Sequence, residues 1–431
     1  MDGLVYPDRR VHTGLLEYKN VYRPARAVSF HQESGELALR NYMEFTDLGD
    51  YAEIRYEVNC DGACLEQAVL PACSIKPQET GRVCLNIAVP ERGRAYVRLY
   101  YYLRTANELL PAGHLLGTEE LPLKTKDDRN QEALVWLNAA ATEFLPAPLT
   151  VRETDAEIVC GGRGFSCSLD KRTGLISRLS FGGREYLDRA MELNIWRAPT
   201  DNDMYIKKEW KRAGYDRAAA RAYGTNISRT ETGVLITCAM SVSAAAVQRI
   251  LDIEARWQID AAGGISLEMS VKRDMEFPEL PRFGVRLFLK KELSEVSYYG
   301  LGPYESYCDK HRASLHGLYR AGVGEMHEDY IRPQENGSHA DCDYVTLTGG
   351  RWGITAVSED RFSFNASIYT QEELEKKEHN YELEPSGSTV LCLDYKQNGI
   401  GSNSCGPVLG EKYRLNKESF TFRIKMAPFV R

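Results

Sequence analysis

Three short segments hold the side chains best suited to chemistry in this sequence. They are Arg197-Ala198-Pro199-Thr200-Asp201-Asn202-Asp203, then Gly302-Pro303-Tyr304-Glu305-Ser306-Tyr307 with Asp309, and Arg332-Pro333-Gln334-Glu335-Asn336-Gly337. Each sets carboxylates, amides or arginine beside turn-forming Pro and Gly, so the polar groups fall in loops where they can face a ligand. Glu335 and His339 are spaced to serve as a base and acid pair on a hydroxyl. The same residues also have plainer uses. Asp201, Asn202 and Asp203 can cap a following helix, Asn336-Gly337 can supply the positive φ of a turn, and Glu335 with His339 can form a satisfied buried pair.

Other chemistries leave no trace. No G-x-S-x-G elbow, phosphate-cradling G-x-x-x-x-G-K-[ST] loop or H-E-x-x-H zinc helix occurs. Gly300-Leu301-Gly302-Pro303 lacks the third glycine of a dinucleotide fingerprint and reads as a turn that ends a strand. Eleven cysteines form neither a Cys-x-x-Cys motif nor an even framework, which suits reduced thiols. Cys308, His311 and His316 are the tightest mixed cluster, but their spacing is loose for zinc and no metal site is expected.

The elements that must position these loops are strands. The 431 residues carry Lys+Arg 54 against Asp+Glu 61, a net charge of -7 that offers no broad positive field for nucleic acid. Hydrophobic residues at 43% predict a folded globular chain, and no apolar run is long enough for a membrane span. With no signal-peptide pattern at the start, a cytoplasmic protein is expected. Tyrosine is abundant, 25 against 13 Phe and 5 Trp, and such amphipathic rings suit sheet faces and edges. From Glu36 to Leu123, period-2 alternation predicts about seven short strands, hence an immunoglobulin-like β-sandwich. Val83, Leu85, Ile87 and Val89 line one face, and a turn at Pro90–Gly93 predicts a hairpin with Ala95, Val97, Leu99, Tyr101 and Leu103. Arg94, Arg98 and Arg104 then point to the other side.

Residues 124–147 change composition and read as a linker. Beyond them alternation resumes. Leu251, Ile253, Ala255, Trp257 and Ile259, the turn Asp260–Gly264, and Ile265, Leu267, Met269 and Val271 predict a second hairpin within a large sandwich. Helices are few: Thr370 with Glu373 marks one start, and Gly214 marks the end of a short helix that begins near Asn202 or Asp203. The first 23 residues show no alternation and read as a remnant that docks on something outside this sequence.

At the polar loops the chain resembles the C-terminal region of a bacterial β-galactosidase of glycoside hydrolase family two. The resemblance rests on Arg197–Asp203, Gly300–Asp309, Arg332–Gly337, Phe364-Asn365 and Gly399-Ile400-Gly401, in the family's order and approximate spacing. It implies a mainly β protein. Residues 1–23, with Asp8 to Lys19, would close the family's catalytic TIM barrel, 24–123 would be its small immunoglobulin-like sandwich, and 148–431 its large galactose-mutarotase-like β-super-sandwich. It also implies that the two catalytic glutamates and the magnesium and sodium ligands lie on a missing barrel, so no residue here is catalytic and no cofactor is held here. Asn107-Glu108 sits beyond a sandwich strand and takes no catalytic role.

The partners implied are the missing N-terminal and barrel portion, or a separate large subunit, and a galactoside substrate such as lactose, within an oligomeric enzyme. The loop after Gly399-Ile400-Gly401 would present Asn403, Ser404 and Cys405 at the pocket rim, with Cys405 where relatives carry a stacking tryptophan. Two other readings exist. One is a carbohydrate-binding or assembly module; the other is a mutarotase-like epimerase using Glu335 and His339.

Overall fold

The computed structural model describes residues 3–138, 149–162, 164–401 and 404–431. The chain divides into two compact units, Asp2–Glu132 with His311–Leu318, and Ala133–Lys310 with Tyr319–Arg431.

The first unit is the expected seven-stranded sandwich. Strands β1 (Ala25–His31), β2 (Glu36–Asn41) and β5 (Thr80–Cys84) form one sheet; β3 (Ala52–Cys60), β4 (Ala63–Val69), β6 (Ala95–Leu103) and β7 (Leu115–Leu123) form the other in the order β4-β3-β6-β7. Leu37, Leu39, Ile54, Val58, Val97, Leu99 and Tyr101 fill the space between. Each fully buried aliphatic side chain of this kind contributes about 1.5–3 kcal/mol.

The expected hairpin is not formed. β5 pairs with β2, whereas β6 pairs with β3 and β7, so the turn near Pro90 belongs to a connection that crosses between sheets. Alternation shows which face of a strand is buried; both sheets of a sandwich turn that face to one core, so the pattern is silent about pairing. The one arginine within β6 does not face solvent. Arg98 is buried, with Nη1 donating to Glu57 (2.9 Å) and Nε to Glu120 (3.0 Å). The opening segment has an element of its own, helix α1 (Thr13–Val21). Its buried Asn20 donates to the Arg312 carbonyl (2.6 Å) and accepts from the Thr118 amide (2.7 Å). A one-turn helix, α2 (Leu48–Tyr51), is capped by Asp47, whose side chain accepts from the Gly49 amide.

Residues 124–147, read as a linker, contain helix α3 (Gln131–Asn138); within the second unit its Ala133 packs with Tyr299, Tyr344 and Val357. That unit opens with a five-stranded sheet, β8 (Thr150–Glu153), β9 (Glu157–Gly162), β10 (Phe165–Asp170), β11 (Leu175–Phe181) and β12 (Arg184–Glu185).

A twelve-stranded sheet follows. Its strands are β13 (Leu187–Asn194), β14 (Ala219–Arg229), β15 (Gly233–Ser243), β16 (Leu251–Asp260), β17 (Ile265–Arg273), β18 (Arg282–Lys290), β19 (Glu295–Gly302), β20 (Leu315–Gly322, of which Leu315–Leu318 are counted with the first unit), β21 (Ser338–Gly349), β22 (Trp352–Ser367), β23 (Ser388–Gln397) and β24 (Ser419–Val430). The main path runs β13-β18-β23-β22-β24-β17-β16-β15-β14. β16 and β17 form the hairpin expected, with Ile259 opposite Ile265 and Trp257 opposite Leu267. Trp257 is fully buried, and its indole N–H donates to the Gly174 carbonyl at 2.9 Å.

Two short helices sit where their caps predict. Helix α4 (Ile206–Ala213) ends at Gly214, which has φ 79° and where an added Cβ would lie 2.5 Å from the Ala244 methyl. It begins a little later than the sequence suggests, because Asp201–Asp203 form a separate 3-10 turn. Helix α5 (Gln371–Lys376) starts at Thr370, whose hydroxyl accepts from the Glu373 amide at 3.2 Å.

Candidate functional site

The polar loops converge within the second unit, beside the backbone of Asn398 to Gly401. Arg197 follows β13 and is fully buried. Its guanidinium forks onto Asp203, with Nε to Oδ2 at 3.1 Å and Nη2 to Oδ1 at 2.7 Å. The remaining N–H groups donate to the Asn398 carbonyl (2.6 Å) and the Gly399 carbonyl (3.0 Å). Asn202 donates to the Ile400 carbonyl at 2.7 Å. From the opposite direction the Asp309 carboxylate accepts from the amides of Ile400 (3.0 Å) and Gly401 (2.8 Å). Carbonyls and amides of the same loop are therefore held by fixed side chains of complementary charge, which is the stronger class of hydrogen bond.

Glycine is required at this crossing. A Cβ on Gly399 would lie 2.5 Å from Asp309 Oδ2, and one on Gly401 would lie 3.0 Å from it. The anchored segment leads to Ser404, whose hydroxyl donates to the Asn202 side-chain oxygen at 3.0 Å, and then to exposed Cys405. Asn403, the third rim candidate, lies outside the described residues. Asp201 works a level below: its amide donates to the Gln334 side chain (3.1 Å), and Gln334 donates back to its carboxylate (3.3 Å).

Beneath this loop the other candidates are committed to internal contacts. Glu305 accepts from Lys310, the Tyr330 hydroxyl and the Gly337 amide. Burial alone would raise its pKa, but the Lys310 ammonium and these donors bring the carboxyl below the ordinary range. Arg282 at the start of β18 pairs with Asp394 on β23 (2.5 Å) and Glu335 (3.2 Å). Burial dominates for Glu335 and raises its pKa despite Arg282 and Arg197; among the described residues its Oε1 has no hydrogen-bond partner. Asn336 organises its own loop, donating to the Gln334 carbonyl (2.9 Å) and accepting from the Glu328 amide (3.0 Å).

His339 lies on β21 with Nδ1 2.9 Å from the Tyr298 hydroxyl and 3.0 Å from the Leu301 carbonyl; burial lowers its pKa to about 4. In this geometry Glu335 and His339 have separate hydrogen-bond partners. The two are 3% and 2% exposed, and among the described residues no hydrogen bond joins them. Asp203, Glu305 and Asp394 are likewise buried in ion pairs. Asn107 closes a turn after β6, its side-chain oxygen accepting from the Leu109 and Leu110 amides. The loose cluster separates by contact: Cys308 Sγ faces the Gln397 and Tyr413 carbonyls, while His316 Nδ1 meets Glu120.

Arg282, Asp394 and Asn398 were not singled out from the sequence. The available signal was an aspartate inside the apolar run Val390-Leu391-Cys392-Leu393-Asp394, where an ionised group needs a buried partner.

This architecture has named relatives. A family model described as beta galactosidase small chain matches residues 161–426, and one for beta-galactosidase domain 4 matches 37–124. The beta-galactosidase of Actinobacillus pleuropneumoniae is 41% identical over 428 residues, covering 99% of this chain and 41% of that protein. The beta-galactosidase of Staphylococcus xylosus is 32% identical, covering 99% of this chain and 42% of its own length. The chain thus spans about two fifths of the length of these curated relatives. Among solved structures, a galactose 1-epimerase from Lactobacillus acidophilus NCFM aligns over 65% of this chain and 98% of its own, at 9% identity and a TM-score of 0.37. By the extent of the first match, the chain belongs to the beta galactosidase small chain family.

Proposed function

We propose that this chain is the non-catalytic C-terminal portion of a β-galactosidase acting on terminal β-D-galactosides such as lactose, supplying scaffold and one wall of the sugar pocket. The observation that carries the reading is coverage: relatives bearing that name match 99% of the chain while extending well beyond it. The site geometry is in keeping with it, because the carboxylates of the polar loops are engaged in fixing backbone rather than presented as a pair for glycosidic cleavage.

In this reading the polar loops work as a clamp. Arg197 and Asn202 hold the carbonyl side of residues 398–400, and Asp309 holds the amide side of 400–401. Ser404, held by Asn202, is thereby placed for contact with a sugar, and the Cys405 thiol gives a small apolar contact instead of an aromatic face. Among the described residues no three His, Cys, Asp or Glu side chains are grouped to hold an ion. The reading routes no step through a metal on this chain. The test is hydrolysis of a chromogenic galactoside by the 431-residue chain alone and after mixing with the rest of the enzyme. Turnover only in the mixture is expected; turnover by the chain alone would overturn the assignment.

A further inference from the structure

A second cavity of the second unit is assembled from the outer sides of the same loops and helix α4, with a volume of about 190 Å³. That is below the roughly 300–1,000 Å³ of sites for drug-sized ligands, and it suits a small ion or the end group of a larger molecule. Its lining is rich in cations: Lys207, Lys208 and Lys211 from α4, and Arg332 from the loop before β21. Of the two lining carboxylates, one neutralises a lysine of the lining itself and the other is held by a side-chain amide. Glu375 is paired with Lys211 (2.5 Å) and accepts from the Trp196 indole (3.1 Å), and Asp201 is held by Gln334. Among the described residues, Lys207 and Arg332 make no side-chain hydrogen bond or ion pair, so positive charge is left over at this wall.

An independent observation singles out the same cavity. Thr200 lines it and is 5% exposed, and among the described residues its hydroxyl has no hydrogen-bond partner, although its amide is satisfied by Asp203 at 2.8 Å. A buried hydroxyl left without a partner costs about 1–3 kcal/mol. A ligand that accepts from it would remove that cost.

We propose that this cavity is a phosphate-binding site, in which the Thr200 hydroxyl and the Lys207 ammonium donate to the anion's inner oxygens and the Arg332 guanidinium closes over its outer side. A carboxylate offers two oxygens in one plane. A phosphate offers three or more in a tetrahedron, which matches donors arriving from two loops and a helix, and arginine's planar fork suits it bidentately. The ligand is either free phosphate or a phosphate monoester such as a sugar phosphate. This inference does not rest on the galactosidase reading.

The test is calorimetric titration of the 431-residue chain at low ionic strength with inorganic phosphate, with a hexose 6-phosphate, and with chloride at matched ionic strength. Saturable binding of at least one phosphate is expected, with Kd of about 1 mM. Arg332→Gln should weaken it about tenfold through loss of a charged bidentate donor. Thr200→Val should weaken it several-fold while the chain melts at the same temperature or higher, since the hydroxyl it removes is unpartnered. That thermal result separates loss of a ligand contact from loss of fold. Tighter binding of the hexose phosphate would assign the monoester, and equal binding the free anion. Absence of saturable binding, binding of wild-type strength in both variants, or equal competition by chloride would overturn the proposal.

Discussion

Replacing Asp309 by alanine tests the clamp directly. The carboxylate accepts two backbone hydrogen bonds, from Ile400 at 3.0 Å and Gly401 at 2.8 Å. Hydrogen bonds to a charged group contribute about 1.5–3 kcal/mol each, so two would give about 3–6 kcal/mol. The Asp309 side is only half-buried and Gly401 is exposed, so water can replace part of what is lost and we expect about 3 kcal/mol. Arg197 and Asn202 still hold the carbonyl side, so the loop should open locally while the sandwich stays folded. The readout is native-state hydrogen exchange of the Ile400 and Gly401 amides, which should accelerate about a hundredfold, because 1.4 kcal/mol is a factor of ten. Asp309→Asn keeps one side-chain oxygen without the charge and should accelerate exchange about tenfold. Strands β18 and β23 should keep their protection in both variants. Unchanged exchange at both amides in Asp309→Ala would refute the clamp.

Three further outcomes follow from the buried charges and the rim. Arg282→Met strands Asp394 and Glu335 without their counter-ion and should cost about 3–5 kcal/mol, whereas Glu335→Gln, at a carboxyl whose Oε1 has no partner among the described residues, should stay within about 1 kcal/mol; thermal melting compares them. His339 titrates near 6.5 unfolded and about 4 folded, so its penalty is absent above pH 6.5 and grows as pH falls toward 4. It reaches about 3 kcal/mol, so His339→Gln should flatten the urea-unfolding stability profile over that window, and parallel profiles would contradict the assignment. On the proposed function, Cys405→Trp in the complete enzyme should lower KM for lactose several-fold, as an added ring face contributes about 0.5–1.5 kcal/mol; an unchanged KM would remove Cys405 from the pocket.

What could be read from the chain divides along physical lines. The β16–β17 hairpin was legible because Leu251 to Ile259 alternate without exception and the Asp260–Gly264 turn is short enough to impose pairing of neighbours. The hairpin expected after Val83 failed because ten residues from Leu85 to Arg94 separate the strands, and that is length enough to change sheets. The loops at Arg197, Asp309 and Arg332 were visible as polar, turn-rich segments, and the structure brings them together. Their partners were not visible. Arg282 and Asp394 are 112 residues apart and meet only because β18 and β23 pair in a register that sets Gly284 opposite Asp394. The seating of His311–Leu318 with the first unit also had no local signal, since it depends on what the tertiary fold offers to an otherwise ordinary polar stretch.

Strand β24 lies between β17 and β22, with Ile265 opposite Met426 on one side and Trp352 opposite Val430 on the other. Both neighbours precede it by a long way, so during synthesis each must wait with a row of unsatisfied N–H and C=O groups on the side that β24 will fill. Such open edges invite pairing with another chain. The wedge position makes the large sheet close late, and it sets a premium on shielding those two edges until residues 419–430 arrive.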